Sequence, residues 1–396
     1  MSDLTGRNVR LFYVLEAILS LTGGIILPVY VVYFRNFDVS LFQVALLAAI
    51  FEATIIIFEV PTGIFADRFG RRLSTVAGFF LLTVAGAIFF AFRSFTGFVV
   101  AEIVFGISET FISGALEALA VDSLDKDERE KSLPRLFANR TMVKTSALLI
   151  GMIAGGYLAG RFLPSLFAPV IFIAAVGLAA ALFLRESVRE ESGAEKAKEK
   201  ARSVAGTVFR NGAVLALFAV GLFSNFVYEP ADQFWQVLFS EIKGVPASYF
   251  GIFTAAGLIL VIAVARFSER LYERLTLYLS ICFALVGVAL FVAASTAIYP
   301  ALAGIVVYFA LKELVRPAIS THLNRQFESA RRATYLSAFN LTCSIGEVAA
   351  GITAGILAGK YGVVFIFYFA AVAALVMLII YLSLSGLAAA KMKSAA

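Results

Sequence analysis

The sequence predicts an all-α integral membrane protein of twelve transmembrane helices in two pseudo-symmetric six-helix bundles. Three observations predict it: an apolar composition, twelve apolar runs of spanning length, and a repeat of half the chain. Of 396 residues, 61% are hydrophobic and 15% charged, against roughly 25% charged in an average soluble domain. The mean hydropathy is +0.90. A water-facing domain of this size cannot hide that much apolar surface in a core. The composition excludes an ordinary soluble enzyme, a disordered chain and a disulfide-built secreted module.

A helix needs about 20 apolar residues to cross a bilayer. Charges, Pro and Gly bound twelve such runs. The first is 11–34, between Arg10 and Arg35, and the second is 40–65, ending before Asp67. The third, 73–92, lies between Arg72 and Arg93, and the fourth, 97–121, ends at Asp122. The fifth, 136–160, is held between Arg135 and Arg161, and the sixth, 165–184, between Pro164 and Arg185. Spans seven to nine are 212–238, 247–266 and 275–294, and spans ten to twelve are 298–321, 334–358 and 362–385. Most connections are very short. The exception is 186–210, which contains REESGAEKAKEKARS and carries the densest charge. It divides the chain into an N-terminal bundle at 1–185, a cytoplasmic linker at 186–210 and a C-terminal bundle at 211–396.

The basic residues test this count. With the N-terminus inside, 24 of the 33 Lys and Arg fall in inside segments and five in outside loops. Inside loops collect Lys and Arg, so both termini are expected in the cytoplasm and the protein in the cytoplasmic (inner) membrane. The net charge of +6 is then an inside-loop bias that meets anionic headgroups, and no nucleic-acid partner is needed. The single histidine, His322, and two cysteines in separate runs, Cys282 and Cys343, provide no metal cluster or disulfide framework.

The halves resemble each other at an offset near 200. ADRFGRRLS (66–74) aligns with SERLYERLT (268–276), and Pro28 with Pro230, both at offset 202. YLAGRF (157–162) aligns with ILAGKY (356–361) at offset 199. Repeated bundles with a site between them suit a carrier, because rocking one half against the other gives alternating access. Pro28 and Pro230 are expected to kink spans one and seven.

The loop between spans two and three reads GIFADRFGRR, Gly63 to Arg72. It resembles the major facilitator superfamily signature G-x-L-A-D-R-x-G-R-R, with Phe65 in place of the usual Leu. With the spans and the repeat, the resemblance covers the whole chain. It implies a conformational role for Gly63, Asp67, Arg68, Gly70, Arg71 and Arg72. Asp67 would meet a helix N-terminus and basic partners, the arginines would latch the cytoplasmic side, and the glycines would allow close approach and a tight turn. GMIAGG in span five (151–156) is similar to the superfamily's antiporter motif G-P-x-x-G-G, with Met152 replacing the proline. Glu102 takes the span-four position where drug antiporters of the superfamily usually carry Arg. ISETFISGALEALAVDSL resembles prokaryotic multidrug-efflux-like members.

Ionisable residues inside spans are expensive and are functional candidates by default. Ten acids stand against four bases there. Carboxylates in low dielectric can hold and release protons, which a proton-coupled carrier needs. The resemblance implies that spans one, four, seven and ten line a central cavity. Those spans hold Glu16, Glu109, Glu229, Asp232, Lys312, Glu313 and Arg316, with Tyr228 beside them. Lys312 and Arg316 are i,i+4, and Glu313 is i,i+3 from Arg316, so an intrahelical pair is open to them. Arg140 and Lys144 are expected to face Glu117 and Asp122 in a mixed-charge cluster, either functional or structural. Glu102 and Glu347 are further candidates. Asn225, Tyr228, Phe234 and Trp235 suit an amphipathic substrate, and most of the 39 Phe are expected to face lipid.

Two transport readings remain open. One is proton-coupled export of amphipathic small molecules by alternating access. The other is a carrier for an anionic metabolite or lipid-like anion, in either direction, with Lys312, Arg316, Arg140 and Lys144 as counter-charge. No nucleophile–base set or Walker-type GK[ST] stands out, so neither an enzyme nor direct ATP driving is expected. No cofactor beyond a proton gradient is expected, and the protein is expected to act as a monomer on a small-molecule substrate.

Overall fold

The structure, a computed structural model, describes residues 3–125, 129–186, 212–268, 274–326 and 329–395. Of the linker at 186–210, only Glu186 lies within the described residues. The first half holds α1 (Asp3–Ile26), α2 (Tyr30–Arg35), α3 (Leu41–Phe69), α4 (Arg71–Ala91), α5 (Phe95–Asp122), α6 (Arg129–Phe162) and α7 (Phe167–Leu182). The second holds α8 (Gly212–Phe223), α9 (Asn225–Val237), α10 (Phe250–Ser268), α11 (Leu275–Ala293), α12 (Ile298–Gln326), α13 (Ser329–Tyr361) and α14 (Val363–Ala395). Among the described residues, ten segments are long and apolar enough to cross a membrane, one of them Gly6–Arg35, which joins α1 to α2. With α7 and the α8–α9 pair, the helices follow the twelve expected spans. Helices bond their backbone internally, as hydrocarbon requires. Exposed side chains such as Phe172, Val60 and Ile57 are apolar and face that hydrocarbon.

Local sequence sets several boundaries. Ser40 caps α3 through a reciprocal box with Gln43: its hydroxyl accepts from Gln43 N at 3.3 Å and its N–H donates to Gln43 Oε1 at 2.9 Å. Gly70 separates α3 from α4 at φ +105°, a region reserved in practice for glycine. Span one breaks at Pro28, where Leu27–Val29 forms a 3-10 turn. In span seven Pro230 lies inside α9, and a separate interruption falls at Ser224, between α8 and α9. Asn225 makes that break tolerable. Its amide donates to Gly221 O at 2.9 Å and to Cys343 O at 2.9 Å, satisfying one carbonyl at the break and tying it to α13.

The described residues form two compact units, the first half with Val245–Ile252 and the remainder of the second half. In the first, α4 packs on α5 and α7, and α1 on α6. In the second, α11 packs on α12 and α14, and α9 on α13. Thus span three pairs with spans four and six, and span nine with spans ten and twelve. The repeat seen in sequence recurs as packing. The segment 269–273 of the second copy of the loop motif lies outside the described residues.

The first unit is built around Phe12, Leu15, Phe79, Leu82, Ile112 and Leu116, all buried. Many phenylalanines do not face lipid. Phe89 stacks on Phe167 at 4.5 Å, and Phe34 meets Phe98 edge-on at 4.8 Å around the buried Tyr33. The glycines of GMIAGG serve close helix packing. A Cβ on Gly151 would lie 2.6 Å from Leu21 O and 2.9 Å from Gly24 Cα, so α1 and α6 approach too closely for any side chain there.

Candidate functional site

Each unit encloses a polar cavity. In the first, helical spacing brings three faces together: Glu16 and Ser20 of α1, Glu109 and Ser113 of α5, and Arg140, Lys144 and Leu148 of α6. The cavity measures about 260 Å³. Arg140 organises it. Its Nε lies 2.8 Å from Glu16 Oε1 and its Nη1 lies 2.6 Å from Glu117 Oε2. The guanidinium also stands 5.8 Å from the centroid of Phe12. One planar fork thus joins α1, α5 and α6, a geometry that lysine cannot reproduce. Glu16 is buried, at 7% side-chain exposure. Glu109 and Lys144 share the cavity wall without closing a salt bridge among the described residues.

Asp122 does not join this cluster as expected. It pairs with Arg71, which also donates to Ala118 O at 2.9 Å. Depth explains the difference. Asp122 ends α5, five residues and about 7.5 Å beyond Glu117 at 1.5 Å per residue, where the first turn of α4 passes. Glu16, which lines the cavity, is the partner that completes the cluster.

The second unit's cavity, about 160 Å³, is lined by Asn225, Tyr228, Glu229 and Asp232 of α9, by Lys312 and Glu313 of α12, and by Cys343 and Glu347 of α13. The spacing 225, 228, 229, 232 is one helical face. Lys312 makes its shortest ion pair with another helix, α9. Its ammonium meets both Asp232 oxygens, at 2.8 and 2.9 Å, and lies 3.9 Å from Glu313, whose side chain is 57% exposed. The Tyr308 hydroxyl lies 3.0 Å from both Asp232 Oδ1 and Tyr228 O, and its single proton is shared between these two acceptors. Glu229 accepts from Gln233 at 3.0 Å. Arg316 belongs to α12, but its side chain lies outside the described residues. Phe234 and Trp235 are buried in aromatic packing, Trp235 against Phe309 at 5.2 Å, and only Asn225 and Tyr228 of the expected quartet line the cavity.

The loop signature forms a third cluster. Arg71 reaches the end of α5, and Arg72 donates to Leu182 O of α7 at 3.0 Å. The carboxylate at the α4 N-terminus is Glu186, which accepts from Arg71 N at 2.9 Å and Arg72 N at 3.0 Å. Glu186 thus caps the α4 N-terminus. Asp67 and Arg68 are exposed in the last turn of α3, and Gly63 lies about one turn earlier with open space around it. Glu102 stands apart from both cavities. It is buried and accepts a 2.7 Å hydrogen bond from Tyr30.

Sequence reasoning missed Tyr30, Glu186, Gln233 and Tyr308. Three are uncharged, and the fourth opens a segment so rich in charge that no single carboxylate stands out. One signal was available for Tyr308, which sits four residues before Lys312 on the same helix face.

A family model described as Major Facilitator Superfamily matches residues 12–314. An uncharacterized MFS-type transporter, YxaM, of Bacillus subtilis (strain 168) is 25% identical over 381 residues, 94% of each chain. Among solved structures, a mutant of the nucleoside transporter NupG superposes with a TM-score of 0.80 at 12% identity, covering 95% of this chain and 99% of that one. A D-xylose-proton symporter gives 0.70 at 15% identity, covering 95% and 97%. At these identities the two structures bear on fold alone.

Proposed function

The chain belongs to the major facilitator superfamily, and from that premise we propose that it exports amphipathic small molecules in exchange for protons. It is a multi-pass membrane protein and a secondary transporter, not an enzyme. The observation that carries the proton reading is the second unit's cavity. Among its described side chains, Lys312 is paired with Asp232 and lies 3.9 Å from Glu313, while Glu229 makes its hydrogen bond to an amide, Gln233, and no salt bridge. A carboxylate without a salt bridge in low dielectric needs a counter-charge, and the smallest one available is the proton. A proton on Glu229 or Glu109 removes an acceptor from a cavity, so proton and substrate compete for one site. Alternating access then turns the competition into exchange. The export direction rests on the resemblance of GMIAGG and span four to exporters of the superfamily. The inside-loop charge bias supports a cytoplasmic-membrane protein with both termini inside, and we read it as a monomer.

Reconstitution in liposomes with an internal pH dye tests this. A panel of lipophilic cations, anions and neutral drugs is expected to include compounds that drive proton movement. No proton movement across the panel overturns the coupling.

One observation favours an anion carrier instead. Lys144 lines the first cavity without a salt bridge among the described residues, and it is free to meet an anionic group. Replacing Lys144 with Met would then abolish transport of an anion while leaving cation-driven proton flux intact.

A further inference from the structure

The first unit's cavity holds one charge of each sign that no contact satisfies. Glu16, Glu109, Arg140 and Lys144 line it, two carboxylates and two cations. Arg140 engages Glu16 at 2.8 Å and Glu117 at 2.6 Å, which leaves Glu109 of α5 and Lys144 of α6. Among the described residues neither makes a hydrogen bond or a salt bridge. Each nonetheless stands within the other's field, so the two face one cavity from beyond salt-bridge distance. Opposite charges held apart in this way select what fits between them. An anion on Lys144 alone brings negative charge toward Glu109, and a cation on Glu109 alone brings positive charge toward Lys144. A molecule with both an ammonium and a carboxylate satisfies each group and adds no net charge to a balanced lining. Apolar side chains stand beside both charges. Phe105 and Ile112 share the face of α5 that carries Glu109, and Leu148 follows Lys144 by one turn of α6.

We propose that this cavity binds a zwitterion, with its carboxylate on Lys144, its ammonium on Glu109 and an apolar side group against Phe105, Ile112 and Leu148. The inference rests on the reading of the chain as a transporter and narrows its amphipathic substrate to a dipolar one. Lys144 then reads the carboxylate of a dipolar molecule rather than a free anion. Arg140 stays outside the contact, because its fork serves carboxylates of the protein itself. Size agrees. The cavity is about 260 Å³, just under the roughly 300–1,000 Å³ of pockets that take drug-sized ligands, and suits a molecule of amino-acid size.

The test uses four compounds of one shape on the full chain in detergent, without any gradient: leucine, isoamylamine, isocaproate and isocaproamide. They carry both charges, the ammonium alone, the carboxylate alone and neither. Binding is read by calorimetry. Leucine is expected to bind at least about tenfold tighter than each of the others, a difference one charge-assisted hydrogen bond supplies. Lys144→Met is expected to bind leucine no tighter than isoamylamine, and Glu109→Gln no tighter than isocaproate, because each variant deletes one contact. Binding of any of the three analogues as tight as that of leucine to the unaltered chain overturns the proposal. So does no binding of leucine, or a preference for leucine that survives both variants. Should either variant misfold, the order of the four compounds on the unaltered chain decides. Leucine preference without proton flux in liposomes sinks the coupling and spares this site. Proton flux without leucine preference does the reverse.

Discussion

The two cavities hold similar residues and use them differently. In the first unit, the cation is a guanidinium whose fork joins carboxylates on two other helices, Glu16 and Glu117. In the second, the cation is an ammonium held closely by Asp232 and more loosely by Glu313, 3.9 Å away. The planar fork of the first reaches carboxylates on two other helices at once, and so ties three helices together. The second leaves Glu229 beside a closed pair, with an amide rather than a cation as its neighbour. The repeat thus gave both halves the same helix pairings, while their charges pair differently.

The stability side of this comparison can be broken directly. Arg140→Ala leaves Glu16 buried without its cation and is expected to cost about 3–5 kcal/mol, seen as a large fall in Tm in detergent. Lys312→Ala strands Asp232 with Tyr308 still donating to it. Because both members of that pair are about a quarter exposed, the expected cost is smaller, about 1–3 kcal/mol. Equal losses, or a larger one for Lys312→Ala, would remove the distinction between the two arrangements.

The loop cluster sharpens the comparison from outside the cavities. Gly70→Ala forces a side chain into φ +105°, ψ 148°, at a cost of about 1–3 kcal/mol, and its Cβ would meet the Glu186 carboxylate. Glu186→Gln weakens a cap on the α4 N-terminus and is expected to cost about 0.5–1 kcal/mol. Thermal unfolding of both variants checks the order. A Glu186→Gln loss as large as that of Arg140→Ala would mean that the loop, not the cavity, braces the first unit.

Much of this architecture was legible in the residues. Charges such as Glu109 and Glu229 stand out in apolar runs, and helical spacing shows which of them share a face. The pairing partners were not legible. Whether Arg140 meets Asp122 or Glu16 depends on helix depth and rotation, which a single chain does not display. The interruption of span seven at Ser224 was not legible either, because the Asn225 amide, not a proline, supports it by donating to Gly221 O. Gln233 and Tyr308 escaped notice because uncharged polar residues carry little signal among so many apolar ones.

The central claim is that the second cavity, through Glu229, carries the proton. It is tested by substrate-driven proton flux in liposomes for Glu229→Gln and Glu109→Gln side by side, both checked for folding by Tm. The account predicts that Glu229→Gln abolishes flux while remaining folded, and that Glu109→Gln keeps a measurable part of it. Full flux in Glu229→Gln, or its complete loss in Glu109→Gln alone, would contradict the claim and move the proton site to the first unit.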